Sequence, residues 1–245
     1  MSDGCHVVTG ASSGIGACVA KRLLARGESV VVVARRAARL RELYGEDPNV
    51  RAVVADLSEP DAVGTVAKAV KDAFGPVRGF VHAAGFAAPA PLSLVDDAVA
   101  RRLYAVHALF PLRFLGWLGK APNHVAGASC VLVSSLDCHV GAKGNAAYAA
   151  AKGAVEGMLK GVAAELADRG VRVNAVAPGV VETAMAKTAW MDRVSPEELA
   201  ARRARYPFGF GKPEQVADVV DFFLSPASSW VTGQCLVADG GRSLT

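Results

Sequence analysis

The sequence predicts an α/β fold in a single domain, a doubly wound Rossmann-type sheet of seven parallel strands with helices on both faces. Short β-branched runs alternate with segments of helical period along the whole chain, which is the pattern of repeated βαβ units. The run Val30–Val33 is apolar at every position, as expected of a strand covered on both faces. No linker, low-complexity tract or charge block divides residues 1–245, so we expect one domain.

The elements follow one another in a regular order. The predicted strands cover residues 5–10, 29–34, 50–56, 77–85, 129–135, 171–179 and 233–241. The predicted helices cover residues 15–27, 38–45, 61–75, about 96–118, 146–170 and 213–225. Gly27 and Gly170 mark two helix ends, where glycine closes a helix most easily. The stretch from about 183 to 210 is less regular, and we expect it to form a substrate loop.

Composition and charge exclude several classes of protein. Apolar residues make up 52% of the chain, which suits a large core and argues against disorder. The net charge is +4, and no dense basic run with interleaved aromatic residues indicates nucleic-acid binding. The five cysteines are scattered, without zinc spacing, so we expect reduced thiols and no metal site. Without a leader-like or membrane-length apolar segment, we expect a cytoplasmic protein with no membrane partner.

A glycine-rich loop, TGASSGIG, joins the first strand to the first helix. Gly10, Gly14 and Gly16 allow a sharp turn and a close backbone approach to a ligand, and they leave the helix N-terminus free to receive a pyrophosphate. An ordinary glycine-rich turn would look similar, but the position after the first strand of a βαβ series favours dinucleotide binding. The same loop contributes Ser12, Ser13 and Ile15.

The end of the second strand indicates which dinucleotide binds. NAD sites of this type usually carry an acidic residue there, to hold the ribose hydroxyls. This chain has Arg35 and Arg36 instead. A guanidinium pairs well with a phosphate and offers nothing specific to a bare 2′-hydroxyl. Although two arginines also suit the start of an exposed helix, we predict that NADP(H) is preferred over NAD(H).

Ser135, Tyr148 and Lys152 fall where a stable core would not need them. Tyr148 and Lys152 are four residues apart on one predicted helix, so both project from the same face. A phenol has an ordinary pKa of about 10, and we expect the neighbouring ammonium to lower the pKa of Tyr148. Ser135 precedes Tyr148 in the loop after the fifth strand, where it can hydrogen-bond a substrate oxygen. The alternative is an amphipathic helix with a solvated Tyr and Lys.

The motifs TGASSGIG, VADL, HAAG, SS…YAAAK and APGVVET, in this order, resemble those of the classical short-chain dehydrogenase/reductase family. The resemblance covers nearly the whole chain. The C-terminal segment from Pro207 to Gly241 is especially similar to bacterial 3-oxoacyl-carrier-protein reductases. Each motif alone is common by chance, but together, at the family's spacing, they are specific. The resemblance implies a nicotinamide-dependent oxidoreductase acting on alcohols or carbonyls.

The resemblance also implies a role for each catalytic residue. Tyr148 would be the general acid in reduction and the general base in oxidation. Lys152 would tune Tyr148 and hold the nicotinamide ribose, while Ser135 would orient the carbonyl. Other positions match the family's cofactor site: the adenine flank, the end of the fourth strand and the segment beside the carboxamide. These are Asp56, Leu57, Ala83, Ala84, Gly85, Pro178, Gly179, Val181 and Thr183.

Two positions depart from the family pattern. His107 stands where relatives carry a helix asparagine whose main chain is tied to a water linking the lysine to solvent. His107 could leave that contact intact, its imidazole could join the proton path, or it could simply be a packed histidine. His82 replaces the first asparagine of the NNAG motif, a change that we expect to weaken a structural turn more than the chemistry.

The substrate is less well determined by the sequence. The leading hypothesis is reduction of a 3-oxoacyl thioester carried by an acyl carrier protein. Asp137, His139 and Asn145 are more polar than a plain acyl chain requires, so a dehydrogenase of a small polar or cyclic alcohol stays open. A third alternative is an NADP-binding partner or regulatory subunit without turnover. An apolar lid and a basic docking surface are further hypotheses: Ala184, Met185, Trp190 and Met191 for the lid, Arg202, Arg203 and Arg205 for the surface. The resemblance implies a homotetramer built through the two long helices and the last strand.

Overall fold

The computed structural model describes residues 4–245 and contains one seven-stranded sheet, with the strand order β3-β2-β1-β4-β5-β6-β7. Every neighbouring pair of strands is parallel. The strands are β1 (Cys5–Thr9), β2 (Val30–Ala34), β3 (Val50–Val54), β4 (Val77–His82), β5 (His124–Val133), β6 (Arg172–Pro178) and β7 (Cys235–Ala238). The predicted doubly wound fold is therefore confirmed. The order reverses between β1 and β4, so their carboxyl ends border the crevice where such folds bind ligands.

Successive residues of the central strands point to opposite faces of the sheet, and each face carries its own core. In β2, Val30 and Val32 pack on one face, while Val31 and Val33 pack on the other. All four are fully buried, which explains why this strand shows no alternation of apolar and polar residues.

Helices cover both faces. They are α1 (Gly14–Ala25), α2 (Ala37–Tyr44), α3 (Ala62–Ala73), α4 (Asp97–Tyr104), α5 (Phe110–Leu118), α6 (Ala146–Ala167), α7 (Ala184–Ala189), α8 (Pro196–Ala204) and α9 (Pro213–Leu224). Helices α1, α2 and α9 supply buried residues to one core cluster, and α3, α5 and α6 supply them to the other. Helices therefore hold the sheet from both faces, and the sheet in turn positions the loops at its carboxyl edge.

The helix predicted over about 96–118 is not a continuous α-helix. Helices α4 and α5 are joined by a π-helical turn over Ala105–Leu109, in which the Phe110 amide donates to the Ala105 carbonyl, five residues earlier. Pro111 explains the change, because it has no N–H to donate to His107 and its ring crowds that carbonyl. A widened turn relieves the crowding.

Two further findings bear on the sequence predictions. Strand β5 begins at His124, five residues before the predicted start at Ser129, and an irregularity in its pairing with β4 separates the two parts. All five cysteines are free thiols. Over the residues that the structure describes, we find no helix long and apolar enough to cross a membrane.

Candidate active site

A cavity of about 440 Å³ opens at the carboxyl edge of the sheet, above β1 and β4. Its volume falls within the usual range of ligand sites. The loops after β1, β2, β3, β4, β5 and β6 all contribute to its walls, together with α6 and α7. The strand order thus brings together residues that lie far apart in the chain.

The glycine-rich loop forms one end of this cavity. At Gly10 a Cβ atom would lie 2.6 Å from the Ala83 carbonyl oxygen, so the loop packs against the end of β4 too closely for any side chain. At Gly16 a Cβ would lie 2.6 Å from the Gly10 oxygen, so helix α1 begins directly against the turn. The first residues of α1, Gly14 and Ile15, line the cavity and point the helix N-terminus into it. This cradle fits the pyrophosphate of a dinucleotide.

Arg36 lies beside the same loop. Its Nη2 donates to Ser12 Oγ and to Ser13 Oγ, at 2.8 Å in each case. Arg35 extends along the rim, 57% exposed, with its Nη1 3.9 Å from Asp56 Oδ2. Asp56 also accepts a hydrogen bond from Arg102 at 2.7 Å. Both predicted arginines line the cavity, so positive charge borders the place where an adenosine ribose would lie.

Ser135, Tyr148 and Lys152 all line the cavity. Lys152 is buried, and its Nζ donates to the Val133 carbonyl at 2.7 Å, which ties α6 to the end of β5. The same Nζ lies 5.8 Å from the centre of the Tyr148 ring. Ser135 hydrogen-bonds the Tyr148 side chain, and its Oγ also accepts from the Asp137 amide at 3.2 Å. The spacing of four residues on α6 produces this arrangement.

The expected lowering of the pKa of Tyr148 is wrong for this structure. Burial raises the pKa of Tyr148 above its ordinary value, the charge of Asp137 raises it further, and the hydrogen bond with Ser135 opposes both. Burial also lowers the pKa of Lys152 to about 8, because the ammonium is taken out of water. The protein alone therefore holds Tyr148 as a protonated phenol, the form that a proton donor requires.

The sequence suggested that His82 weakens the turn after β4. In the structure, His82 instead holds this turn through hydrogen bonds. The Ala84 amide donates to Thr9 Oγ1 at 3.2 Å, and the Thr9 hydroxyl lies 2.9 Å from His82 Nδ1. His82 Nε2 lies 3.0 Å from the Val106 carbonyl oxygen. Because that carbonyl can only accept, Nε2 carries the proton and Nδ1 accepts from Thr9. The ring is neutral, since burial lowers its pKa to about 3, and it links β1, β4 and the π-helical turn.

His107 lies in the π-helical turn and is fully buried. Its Nε2 lies 3.0 Å from the Phe86 carbonyl oxygen and 3.4 Å from the Phe86 amide nitrogen, and its ring meets the Tyr148 ring edge-on, with centroids 5.4 Å apart. Its Nδ1 has no hydrogen-bond partner among the residues that the structure describes. Burial holds the pKa of His107 well below its ordinary value, so the imidazole is neutral. A role of His107 in the proton path stays a prediction.

Almost all of the other predicted cofactor residues also line the cavity. They are Gly10, Ser12, Ser13, Leu57, Ala83, Ala84, Gly85, Pro178, Gly179, Val181 and Thr183. Gly16 lies behind the turn and supports it by close packing. At Gly85 a Cβ would fall 2.2 Å from His107 Cε1, so a glycine is required for these two residues to pack.

Some lining residues were not singled out by the sequence analysis, among them Val106, Val133 and Leu136. They are apolar, and an apolar pattern alone does not distinguish a cavity wall from the core. The segments that follow β4 and β6 were expected to border the pocket, and Phe86, Pro89 and Tyr206 from these segments do line it. The Tyr206 hydroxyl accepts from the Val180 amide at 3.3 Å, which places this residue against the loop after β6.

The segment from 183 to 210 covers one side of the cavity mouth. Met185, Ala186, Ala189 and Trp190 line it, whereas Ala184 and Met191, two of the four residues expected in the lid, are absent from the lining. Trp190 packs edge-on against Phe210, and Arg202 stacks on its ring at 4.7 Å. Arg202 pairs with Glu198 and Arg203 with Glu182, so two of the three arginines considered for docking are engaged within the protein itself.

The family model described as "Enoyl-(Acyl carrier protein) reductase" matches residues 10–243. The chain belongs to the short-chain dehydrogenase/reductase family. Members of this family are oxidoreductases acting on CH–OH and C=O groups with nicotinamide cofactors, and this chain is one of them.

Relatives within the short-chain dehydrogenase/reductase family differ in their named substrates. The chain is 36% identical to galactitol 2-dehydrogenase (L-tagatose-forming) of Cereibacter sphaeroides, over 100% of this chain and 96% of that protein. It is 33% identical to the 3-oxoacyl-[acyl-carrier-protein] reductase FabG of Vibrio cholerae, over 96% of this chain and 95% of that protein. A structure of an actinorhodin polyketide ketoreductase variant with NADPH superposes with a TM-score of 0.91. The two sequences are 30% identical, and the match covers 99% of this chain and 98% of that one.

Proposed function

We propose that this protein is an NADPH-dependent carbonyl reductase with a 3-oxoacyl thioester as substrate. The observation that carries the proposal is the placement of Tyr148, Ser135 and Lys152 in the wall of one cavity whose far end is a dinucleotide cradle. A phenol beside a hydroxyl can give the carbonyl oxygen the proton that it must gain in reduction.

Each catalytic side chain has one task in this reaction. The nicotinamide cofactor supplies the hydride when it is bound. The Ser135 hydroxyl orients the substrate carbonyl oxygen, and the Tyr148 phenol gives that oxygen its proton as negative charge develops. Lys152 faces the Tyr148 ring and stabilises the resulting phenolate, because a cation is favoured beside a developing anion in a site with little water.

The preference for NADPH rests on Arg35 and Arg36. Their guanidinium groups line the cavity at the end of β2, and no acidic residue replaces them at that strand end. Arg36 is already held by Ser12 and Ser13, so little side-chain entropy is lost when a 2′-phosphate binds. The ketoreductase structure with NADPH supports the same preference.

Steady-state kinetics with both cofactors test this preference. In Arg36→Ala we expect kcat/KM for NADPH to fall about 10- to 100-fold, the loss of one charge-assisted contact, while the value for NADH changes less than about threefold. Arg41→Ala, on the exposed side of α2, is the matched control. Equal losses with both cofactors would show that Arg36 only supports the loop.

The thioester is supported by the apolar side of the cavity. Met185, Ala189 and Trp190 offer a surface for an acyl chain, and a second groove lined by Leu94, Val95 and Met185 adjoins it. The similarity to a 3-oxoacyl reductase points to the same substrate class.

A small polar alcohol or ketone is the second candidate, and Asp137 favours it. This carboxylate lines the cavity beside Ser135, and its Oδ2 accepts from Asn145 at 2.8 Å. Burial raises the pKa of Asp137, and the hydrogen bond from Asn145 opposes that rise. A hydroxylated substrate could donate further hydrogen bonds to this carboxylate, whereas an acyl chain could not. Galactitol 2-dehydrogenase is a relative named for such a substrate.

Turnover with a short 3-oxoacyl thioester and with a polyhydroxy ketone separates these candidates. If the thioester is the substrate, Asp137→Asn changes its kcat/KM less than about threefold. If the substrate is a small polar alcohol or ketone, kcat/KM of the same variant for the polyhydroxy ketone falls about 10- to 100-fold, since a carboxylate acceptor is lost. Asp192→Asn, exposed on the lid segment, is the control. Absence of turnover with both, despite NADPH binding, would favour a non-catalytic partner subunit.

We further propose that the protein works in the cytoplasm as a homotetramer. Exposed apolar residues on two separate faces support this assembly. Tyr104, Leu109 and Leu112 are 45%, 40% and 41% exposed on the α4–α5 helix, and Trp230, just before β7, is 99% exposed. Sedimentation equilibrium tests the stoichiometry, and a monomeric mass would exclude it.

A further inference from the structure

A cluster of three different metal-ligating side chains lies behind the catalytic residues. His139, Glu156 and Cys235 each direct one ligand atom into a common space, and these three atoms lie within 4.8 Å of one another. They come from the loop after β5, from α6 and from the start of β7. We propose that these three side chains form a binding site for a thiophilic divalent cation of the Zn²⁺ class.

The ligand set fits that class of cation. Zn²⁺ binds imidazole nitrogen, carboxylate oxygen and thiolate sulfur at about 2.0–2.3 Å, so two ligands at the tetrahedral angle lie about 3.3–3.7 Å apart. The three atoms, now within 4.8 Å of one another, therefore close on an ion through side-chain shifts of about 1 Å. Three protein ligands leave the fourth tetrahedral position to water. Hard cations such as Mg²⁺ are disfavoured because they select oxygen ligands.

The scaffold suits a binding site. Glu156 and Cys235 lie on regular elements and are partly buried, while the His139 side chain is 35% exposed and provides the entry path. Glu156 Oε1 accepts from Ser134 Oγ at 2.5 Å and from His139 Nε2 at 3.1 Å, and the Cys235 sulfur lies within 4.8 Å of the ligand atoms of both. These bonds pre-assemble the ligands in the absence of a cation.

Binding replaces hydrogen bonds by coordinate bonds without a redox step. The Cys235 thiol releases its proton to solvent and forms a metal–sulfur bond, and His139 binds through Nε2 with its remaining proton on Nδ1. The Ser134 hydroxyl keeps its hydrogen bond to Glu156 and orients it, as outer-shell groups do in metal sites.

The site joins the two segments that carry the catalytic side chains. Glu156 follows Lys152 by one helical turn on α6, and His139 follows Ser135 by four residues. Their sequence separation from Cys235 explains why no metal motif is visible in the sequence.

Titration of tag-free protein with Co²⁺ tests the proposal. We expect a thiolate-to-cobalt charge-transfer band that saturates at one equivalent and is displaced by one equivalent of Zn²⁺. Zn²⁺ should also raise the melting temperature, since it binds the folded chain more tightly than the unfolded one. No band in the wild-type protein, or a band that needs a large excess of Co²⁺, would overturn the proposal.

Variants locate the ion. In Cys235→Ser the band should disappear, and in His139→Gln the affinity should fall at least about tenfold. Cys18→Ser, which removes a partly exposed cysteine outside the cluster, should leave the titration unchanged. A band that persists in Cys235→Ser, or that disappears in Cys18→Ser, would place the ion elsewhere. Near-ultraviolet circular dichroism checks that each variant is folded.

Discussion

At the residue scale, the phenol of Tyr148 and the ammonium of Lys152 are perturbed in ways that a sequence pattern does not show. Lys152 is buried and Tyr148 is partly buried beside it, and the loss of water acts against the charged form of each. Tyr148 therefore stays a protonated phenol at neutral pH.

Replacement of Tyr148 by Phe removes the proposed proton donor while leaving the ring in place. We expect kcat to fall about 10²- to 10⁴-fold, the usual contribution of a general acid, with the NADPH dissociation constant changed less than about threefold. Single-turnover kinetics and calorimetric titration measure the two quantities. Tyr104→Phe, on the exposed side of α4, should retain full activity. Unchanged kcat in Tyr148→Phe would assign the proton to another group.

The pKa of Lys152 predicts how stability depends on pH. In the folded protein it is about 8, below the ordinary value of 10.5, so between these values the unfolded chain binds more protons. Stability from this group therefore rises as pH increases from 8 to 10.5, by about 3 kcal/mol.

Lys152→Met removes this dependence. The difference in unfolding free energy between variant and wild type should shift by about 3 kcal/mol between pH 7.5 and 10.5, with the variant relatively most stable at the lower pH. Urea denaturation at a series of pH values provides the measurement. A pH-independent difference would mean that Lys152 is not desolvated as the structure indicates.

At the scale of elements, the cofactor cradle depends on how closely the first turn of α1 approaches the loop before it. A Cβ at Gly16 would lie 2.6 Å from the Gly10 oxygen and 2.9 Å from the Thr9 oxygen, both of which are backbone atoms. The loop can accept a side chain there only if the helix moves away from β1.

Gly16→Ala should therefore weaken NADPH binding more than about tenfold and lower the unfolding free energy by about 1–3 kcal/mol. Gly64→Ala is the matched control, because a Cβ there meets nothing within 4 Å. That control should be neutral or stabilising by up to about 1 kcal/mol, since alanine favours a helix interior over glycine. Isothermal titration and urea unfolding measure both effects. Equal behaviour of the two variants would contradict the packing argument.

At the scale of the whole molecule, three buried neutral histidines bear on acid stability. Burial is the first cause in each case: it lowers the pKa of His6 to about 4, that of His82 to about 3, and that of His107 well below its ordinary value. On unfolding, each gains a proton below its ordinary value of about 6.5. Stability is therefore lost as pH falls below 6.5.

Together, the three histidines should make the unfolding free energy fall by about 4 kcal/mol per pH unit between pH 5.5 and 4.5. His82→Asn and His6→Asn should each remove about one of the three protons that produce this slope, whatever their effect on stability at pH 7. Urea denaturation from pH 7 to 4.5 measures the slopes. Parallel curves for wild type and variants would show that these histidines are charged in the folded state.

The sequence was sufficient for the sheet, for the glycine loop and for the spacing of Tyr148 and Lys152, because these follow from local periodicity. It was not sufficient for features that depend on contacts between distant segments. The role of His82 requires Thr9 and the Val106 carbonyl as partners, and the pKa of Tyr148 depends on burial under several loops. The sequence analysis predicted one continuous helix across Pro111. The break before Pro111 could have been predicted, since a proline inside a helix removes a hydrogen bond.

The π-helical turn before Pro111 has a consequence for the angular register of the helix that contains it. Each residue of an α-helix advances the chain by about 100°. Deleting one residue between Ala105 and Leu109 would restore regular bonding but rotate α5 by about that angle relative to α4. Phe110 and Phe114, which now pack in the core, would turn toward its edge. The extra residue of this turn therefore sets which side of α5 faces the sheet while His107 stays beside Tyr148.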